Sequence, residues 1–291
     1  MAALPCYYIP HGGGPCFFMD WKLGPADTWD RMAAFLRGLL ADLPARPRAL
    51  LVISAHWEAD PVRINSAAAP ALIYDYYGFP PHTYQLRYPA PGSAELAAEA
   101  AGLLRASGIA AQLDPEHGLD HGVFIPALLI HPPADIPVVQ LSLHPSLDPG
   151  LHLALGAALA PLREQGVLIL GSGMSYHNMA VLMHQPPENP AGDAFDAWLA
   201  DTCTRPAAER ARRLGAWQQA PGAREAHPRE EHLLPLHVVA GAGDGGACIY
   251  RDRVLGAPVS AFAFGIRGEA GPDVPAAYPA HSVGSSRPRR P

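Results

Sequence analysis

The sequence predicts an α/β fold, a single domain built on a central mixed, largely parallel sheet with helices on its faces. Three observations carry this. Short continuous apolar runs, such as residues 49–54 and 167–170, suit strands buried on both faces. These runs alternate with stretches whose apolar residues recur at helical spacing, the pattern of strand-helix-strand units. A histidine follows each of three such runs (His11, His56 and His177), and in open α/β sheets ligands bind beyond the carboxyl ends of the strands.

The elements follow in chain order. Cys6-Tyr7-Tyr8-Ile9 forms a first strand, ended by the loop Pro10-His11-Gly12-Gly13-Gly14-Pro15. Asp27 precedes a helix whose Trp29, Met32, Phe35, Leu36, Leu39 and Leu40 share one face. Residues 49–54 form a buried strand that delivers His56, and residues 62–65 a short one. Residues 74–92, rich in aromatics and proline, read as a long ordered loop of a kind that is often functional. Ser93 caps an alanine-rich helix running to about Ala106. Residues 114–122 form a second polar loop, bearing His117 and His121, before a helix to about Ile130. A strand over 137–143, a helix over 150–163 and a buried strand over 167–170 lead into Gly171-Ser172-Gly173. A charged helical region surrounds 193–213, and strands near 247–251 and 259–266 close the fold. The domain is expected to span residues 1–267, with 268–291 a loose tail of Gly, Pro, Ser and Arg.

Composition narrows the function. A chain of 291 residues, 49% hydrophobic and 16% charged, is long and apolar enough for a sizeable core and is not a disordered chain. A net charge of −6 argues against a nucleic-acid partner. No run is apolar enough to span a membrane, and the N-terminus lacks the basic start of a signal peptide, so no membrane partner is expected. Cys6, Cys16, Cys203 and Cys248 have no CxxC spacing, which points to a reducing cytoplasm rather than a disulfide framework. A homo-oligomer stays open. The 14 histidines are the outlier that needs an explanation.

The stretch Arg229-Glu230-Glu231-His232-Leu233-Leu234-Pro235-Leu236-His237 sets two carboxylates and two histidines against an apolar run. It reads as the segment that brings His232 to a metal whose other ligands lie far away in sequence. Neutral imidazole is the commonest transition-metal ligand and suits iron and zinc alike. His11, His56 and His177, one per strand end, and the His121 loop reaching the same rim, place that site at the strand carboxyl ends. No HExxH, GxSxG or P-loop motif occurs, and Gly171-Ser172-Gly173 lacks the lysine of a phosphate loop.

Six motifs then occur in register: Pro10-His11-Gly12-Gly13-Gly14-Pro15, Ser54-Ala55-His56-Trp57, residues 84–92, residues 119–126, residues 172–179 and Glu231-His232-Leu233-Leu234-Pro235-Leu236. Together they resemble the class III extradiol ring-cleavage dioxygenases of the LigB superfamily, in the DOPA 4,5-dioxygenase-like branch, from about residue 7 to 266. The resemblance implies a mononuclear non-haem Fe(II) site that splits a catechol beside its two hydroxyls with O2. Zn is the alternative metal in a purified protein. It implies His11, His56 and His232 as ligands, His177 as base and then acid, and His121 near substrate and O2. Founding members of the superfamily use two histidines and a glutamate. Here the third position is His232, as in the DOPA branch, and Glu231 is the carboxylate that a shift of one residue would restore. Three neutral histidines leave the full metal charge for a chelating catecholate to offset.

The other candidates read plainly. Taken singly, His11 and His56 would be hydrogen-bonded loop histidines; their shared position at strand ends, together with the family motifs, favours the ligand role that the resemblance implies. His177 could also serve as a fourth ligand. His121 is read either as a substrate contact or as a loop hydrogen-bonding group. His237, five residues after His232, falls off the ligand face and belongs to core or rim. His82 and Tyr84 lie in a loop that either lines the pocket or packs on the surface. His117, His131, His144, His152, His184, His227 and His281 carry no assigned role, Cys16 is an inert thiol, and Arg287, Arg289 and Arg290 a solvated tail. Two other readings of the same scaffold compete: a metal-binding or interaction protein resembling the Memo proteins, and a zinc hydrolase.

Overall fold

The computed structural model describes residues 3–266. The expected tail at 268–291, with His281 and its arginines, lies outside the described residues. The strands are β1 (Cys6–Pro10), β2 (Ala49–Glu58), β3 (Val62–Asn65), β4 (Ala111–Asp114), β5 (Val138–Leu143), β6 (Val167–Gly173), β7 (Gly246–Val254) and β8 (Ala257–Phe264). They form one sheet in the order β4-β3-β5-β2-β6-β1-β8-β7. Its centre, β5-β2-β6-β1, is parallel, while β3 meets β5, β8 meets β1 and β7 meets β8 antiparallel. The predicted single-domain, mixed and centrally parallel sheet is the observed architecture.

Alternate residues of the central strands feed two cores, as strands buried on both faces require. Cys6, Tyr8, Leu51, Ile53, Val167 and Ile169 pack on one side. The helices there are α2 (Ala94–Ala106), α4 (Pro149–Leu159), α6 (Pro190–Cys203), α7 (Ala207–Gly215), α8 (Ala223–Ala226) and α9 (Leu234–Ala242). Tyr7, Ile9, Leu50, Val52, Leu168 and Leu170 pack on the other, against α1 (Asp30–Gly38) and α3 (His121–Ile130). A short α5 (Met179–His184) follows β6.

Four expectations change. His56 lies within β2 rather than after it, because pairing with β5 resumes at Glu58 after a register irregularity that begins beyond Ile53. Such irregularities re-aim side chains. β4 was not foreseen: it is a short edge strand with exposed Gln112 and Leu113, and only its pairing with β3 makes it a strand. The charged region 193–213 is two helices, broken at Thr204-Arg205-Pro206, where the proline cannot continue the first. The helix expected over 150–163 is α4 followed by a 3-10 turn from Ala160 to Gln165.

Candidate metal centre

Strand register sets the site. Ser172 of β6 pairs with Ile9 of β1 on one side and Ser54 of β2 on the other. Two residues further on, His11 and His56 therefore stand level across the end of β6. Their Nε2 atoms are 3.3 Å apart. His11 donates from Nδ1 to the Gly12 carbonyl at 2.9 Å, which leaves its Nε2 with a free lone pair.

His232 arrives from far along the chain, just before α9. Glycines in β6 let it in. A Cβ at Gly173 would lie 2.1 Å from the His232 carbonyl oxygen, and one at Gly171 2.4 Å from that of Pro235. The Gly-Ser-Gly run is thus no phosphate loop but a flat strand end on which residues 232–235 rest. The Tyr8 hydroxyl (2.8 Å) and the Met174 N–H (3.2 Å) both donate to the His232 carbonyl. Its Nδ1 donates to Glu231 at 2.8 Å, leaving Nε2 buried without a partner.

His11, His56 and His232 each bring one nitrogen within 4.8 Å of the other two. Burial and the rings of His56 and His232 push His11 well below the usual histidine range. Burial and His121 do the same to His56, and burial and His177, against the opposing pull of Glu231, bring His232 down to about 4. All three are neutral at neutral pH. The donor set suits a divalent transition metal: neutral imidazoles, Nε2 atoms of His11 and His56 that face each other at 3.3 Å, and an orphaned buried Nε2 on His232.

The other histidines sort around this set. The His177 ring stacks on His232 at 3.4 Å and 15°, and its Nδ1 lies 3.5 Å from Glu231. His121, the first residue of α3, packs 4.0 Å from the His56 ring and donates from Nδ1 to Asp75 at 2.8 Å. Two carboxylates thus complete the site. Glu231, the carboxylate one residue before His232, sets one oxygen on His232 Nδ1, and with His177 and His232 it forms a second group close enough together to hold an ion. Burial raises the Glu231 carboxyl, yet the hydrogen bonds of His177 and His232 hold it well below the usual carboxylate range. Asp75 was missed. Its one legible signal is its position between Tyr74 and Tyr76 in the aromatic loop.

Beyond the site, His237 is buried core, its nitrogens near the Leu214 and Leu233 carbonyls. His82 is exposed and touches the Phe18 carbonyl, His117 stacks on Trp57, and the thiol of Cys16 is buried and accepts from Gly13 N–H. Tyr84 packs with Tyr74 and Tyr76.

Comparison with known proteins bears on the family and the fold. Residues 5–263 match the family described as the catalytic LigB subunit of aromatic ring-opening dioxygenase. A protein of Hapsidospora irregularis named dioxygenase tasH is 38% identical over 284 residues, covering 91% of this chain and 86% of that protein. The 4,5-DOPA dioxygenase extradiol of Beta vulgaris is 45% identical over 202 residues, covering 68% of this chain and 74% of its own. The crystal structure of an uncharacterized protein from Escherichia coli K12 superposes with a TM-score of 0.72 at 28% identity, over 90% of this chain and 100% of that one.

Proposed function

The chain belongs to the LigB family of aromatic ring-opening dioxygenases, in the extradiol, DOPA-like branch, and from that membership we propose that it cleaves the ring of a catechol, DOPA or a related compound, with O2 at an Fe(II) held by His11, His56 and His232. The observation that carries this is the convergence of three neutral imidazoles, one of them with a buried, unpartnered Nε2. Fe(II), when bound, supplies the charge that acidifies a ring hydroxyl and a meeting place for catecholate and O2.

The chain's own residues manage the protons. His177 turns Nδ1 to Glu231, so its Nε2 is the free face. It takes the proton of the second hydroxyl there, with Glu231 balancing the imidazolium, and later returns it. His121 lines the same space from the α3 side. Residues 1–267 constitute the catalytic domain. The four free thiols support a cytoplasmic site of action, and among the described residues no helix is long and apolar enough to cross a membrane.

Anaerobic loading with Fe(II), followed by DOPA or simple catechols and O2, tests the reading. One O2 consumed per ring, with a yellow ring-opened semialdehyde, is the expected result. No O2 uptake with any catechol at full iron occupancy would overturn it, and ester or amide hydrolysis by zinc-loaded protein would favour the hydrolase.

A further inference from the structure

Asp75 sits where the chain has built an elaborate support. Residues 71–73 run parallel to Leu119: Leu119 N–H donates to the Ala71 carbonyl at 2.7 Å, and Ile73 N–H to the Leu119 carbonyl at 2.8 Å. Gly118 permits this approach, since a Cβ there would meet the Ala71 carbonyl oxygen at 2.3 Å. That short parallel pairing carries Asp75 up beside His121. On either side, the Tyr74 hydroxyl donates to the Leu86 carbonyl (2.6 Å) and the Tyr76 hydroxyl to the Thr83 carbonyl (2.7 Å). Both rings pack on Phe124, one turn into the helix that His121 begins. The loop and α3 therefore hold Asp75 and His121 as one body.

A single oxygen of Asp75 grips His121 twice, accepting from its backbone N–H at 2.9 Å and from ring Nδ1 at 2.8 Å. The first contact serves as a helix cap. Asp120, the residue at the cap position, makes no capping bond, because its carboxylate is taken by Ser54 and Gln140. Burial raises the Asp75 carboxyl, but the His121 bonds outweigh it and keep the group ionised below its ordinary range. The carboxylate's other oxygen lies 3.9 Å from His56 Nδ1.

We propose that Asp75 is a positioning residue that locks His121 in the Nδ1–H tautomer and ring orientation, so that Nε2 is presented to the catechol as a hydrogen-bond or proton acceptor. The assignment of His121 to substrate contact rests on the function proposed above; the grip of Asp75 on His121 does not. A carboxylate behind an imidazole, with the opposite nitrogen free, is the arrangement that fixes tautomer and direction in acid–base dyads.

The test has two arms. Imidazole 15N NMR of the diamagnetic, zinc-loaded protein reads the tautomer directly. The expected result is His121 protonated at Nδ1 in the wild type and in Asp75→Asn, which keeps an acceptor oxygen, and a mixture of tautomers in Asp75→Ala. The second arm is kinetic, on iron-loaded variants of matched iron content. Asp75→Ala is expected to lower kcat by about 10²-fold, the size of a positioned acid–base group, with Asp75→Asn in between. In a His121→Ala background the Asp75→Ala change should add little, because both remove the same function. An unchanged tautomer in Asp75→Ala, or losses that simply add in the double variant, would overturn the proposal. If the wild type turned over no catechol, the reaction reading would fail, while the NMR arm would still decide the Asp75–His121 relationship.

Discussion

Glu231 places one carboxylate oxygen 2.8 Å from Nδ1 of His232 and 3.5 Å from Nδ1 of His177. It touches two site histidines at once. Arg229 holds it in turn, pairing with Glu231 at 3.2 Å while clamping both oxygens of Glu58 at 2.7 and 2.8 Å. Glu58 is two residues past His56, so this tie joins the segments that carry two proposed ligands.

Carboxylates in this position fix the tautomer of a ligand imidazole and raise its basicity. Glu231→Ala is therefore expected to weaken metal affinity by about 10–100-fold without abolishing binding, measured by competition with a chelator of known affinity. Unchanged affinity would show that the contact does not tune His232.

His232→Ala makes the sharper distinction. With the third nitrogen gone, two histidines remain on the metal side, and the protein should emerge from Fe(II) loading and desalting with essentially no iron while keeping its far-ultraviolet circular dichroism. Full iron occupancy in that variant would transfer the third ligand to Glu231.

Gly173→Ala tests how the site is assembled rather than what it binds. The new Cβ would lie 2.1 Å from the His232 carbonyl oxygen, so residues 232–235 must move away from β6. Overpacking of this kind costs about 1–3 kcal/mol. A lower Tm together with reduced metal occupancy is expected, and a variant that binds metal normally would mean that His232 reaches the site by another route.

How much of this was legible in the sequence follows from what each element depends on. β1, β2 and β6 announce themselves because strands covered on both faces must be apolar throughout, and His11, His56 and His177 stand out once those strands are placed, while His121 and His232 show only through their own polar stretches. β4 did not, because an edge strand with exposed Gln112 and Leu113 owes its form to its partner β3. Asp75 did not, because its role depends on the parallel pairing of residues 71–73 with Leu119, a contact across 47 positions between Leu72 and Leu119 that no local pattern encodes. The purpose of Gly171 and Gly173 was equally hidden: the motif is short and common, and only the approach of residues 232–235 shows why side chains are excluded there.

Two buried histidines outside the proposed ligand set give a pH signature. His152 donates from Nδ1 to the Asp148 carbonyl at 2.7 Å and accepts from His144 N–H at 3.2 Å, so both ring nitrogens are committed in the neutral form. His227 donates from Nε2 to the Ser175 carbonyl at 3.0 Å among Phe195 and Trp217. Burial brings His152 down to about 4 and His227 to about 3. Between the ordinary histidine value and these, the unfolded chain binds the protons and the fold does not. Stability is thus fully present above about pH 6.5 and is lost as pH falls through the window, at about 1.4 kcal/mol per pH unit for each imidazole. Asp120, pushed up to about 6 by burial and Asp75, works in the opposite sense below pH 6, one carboxyl against these two imidazoles and against His11, His56, His117, His232 and His237, which burial also lowers. Denaturant unfolding of the metal-free protein from pH 7 to 5 should show the loss. His152→Gln should reduce its slope by about one proton, and an unaltered slope would mean that His152 titrates in the folded protein as it does in the unfolded chain.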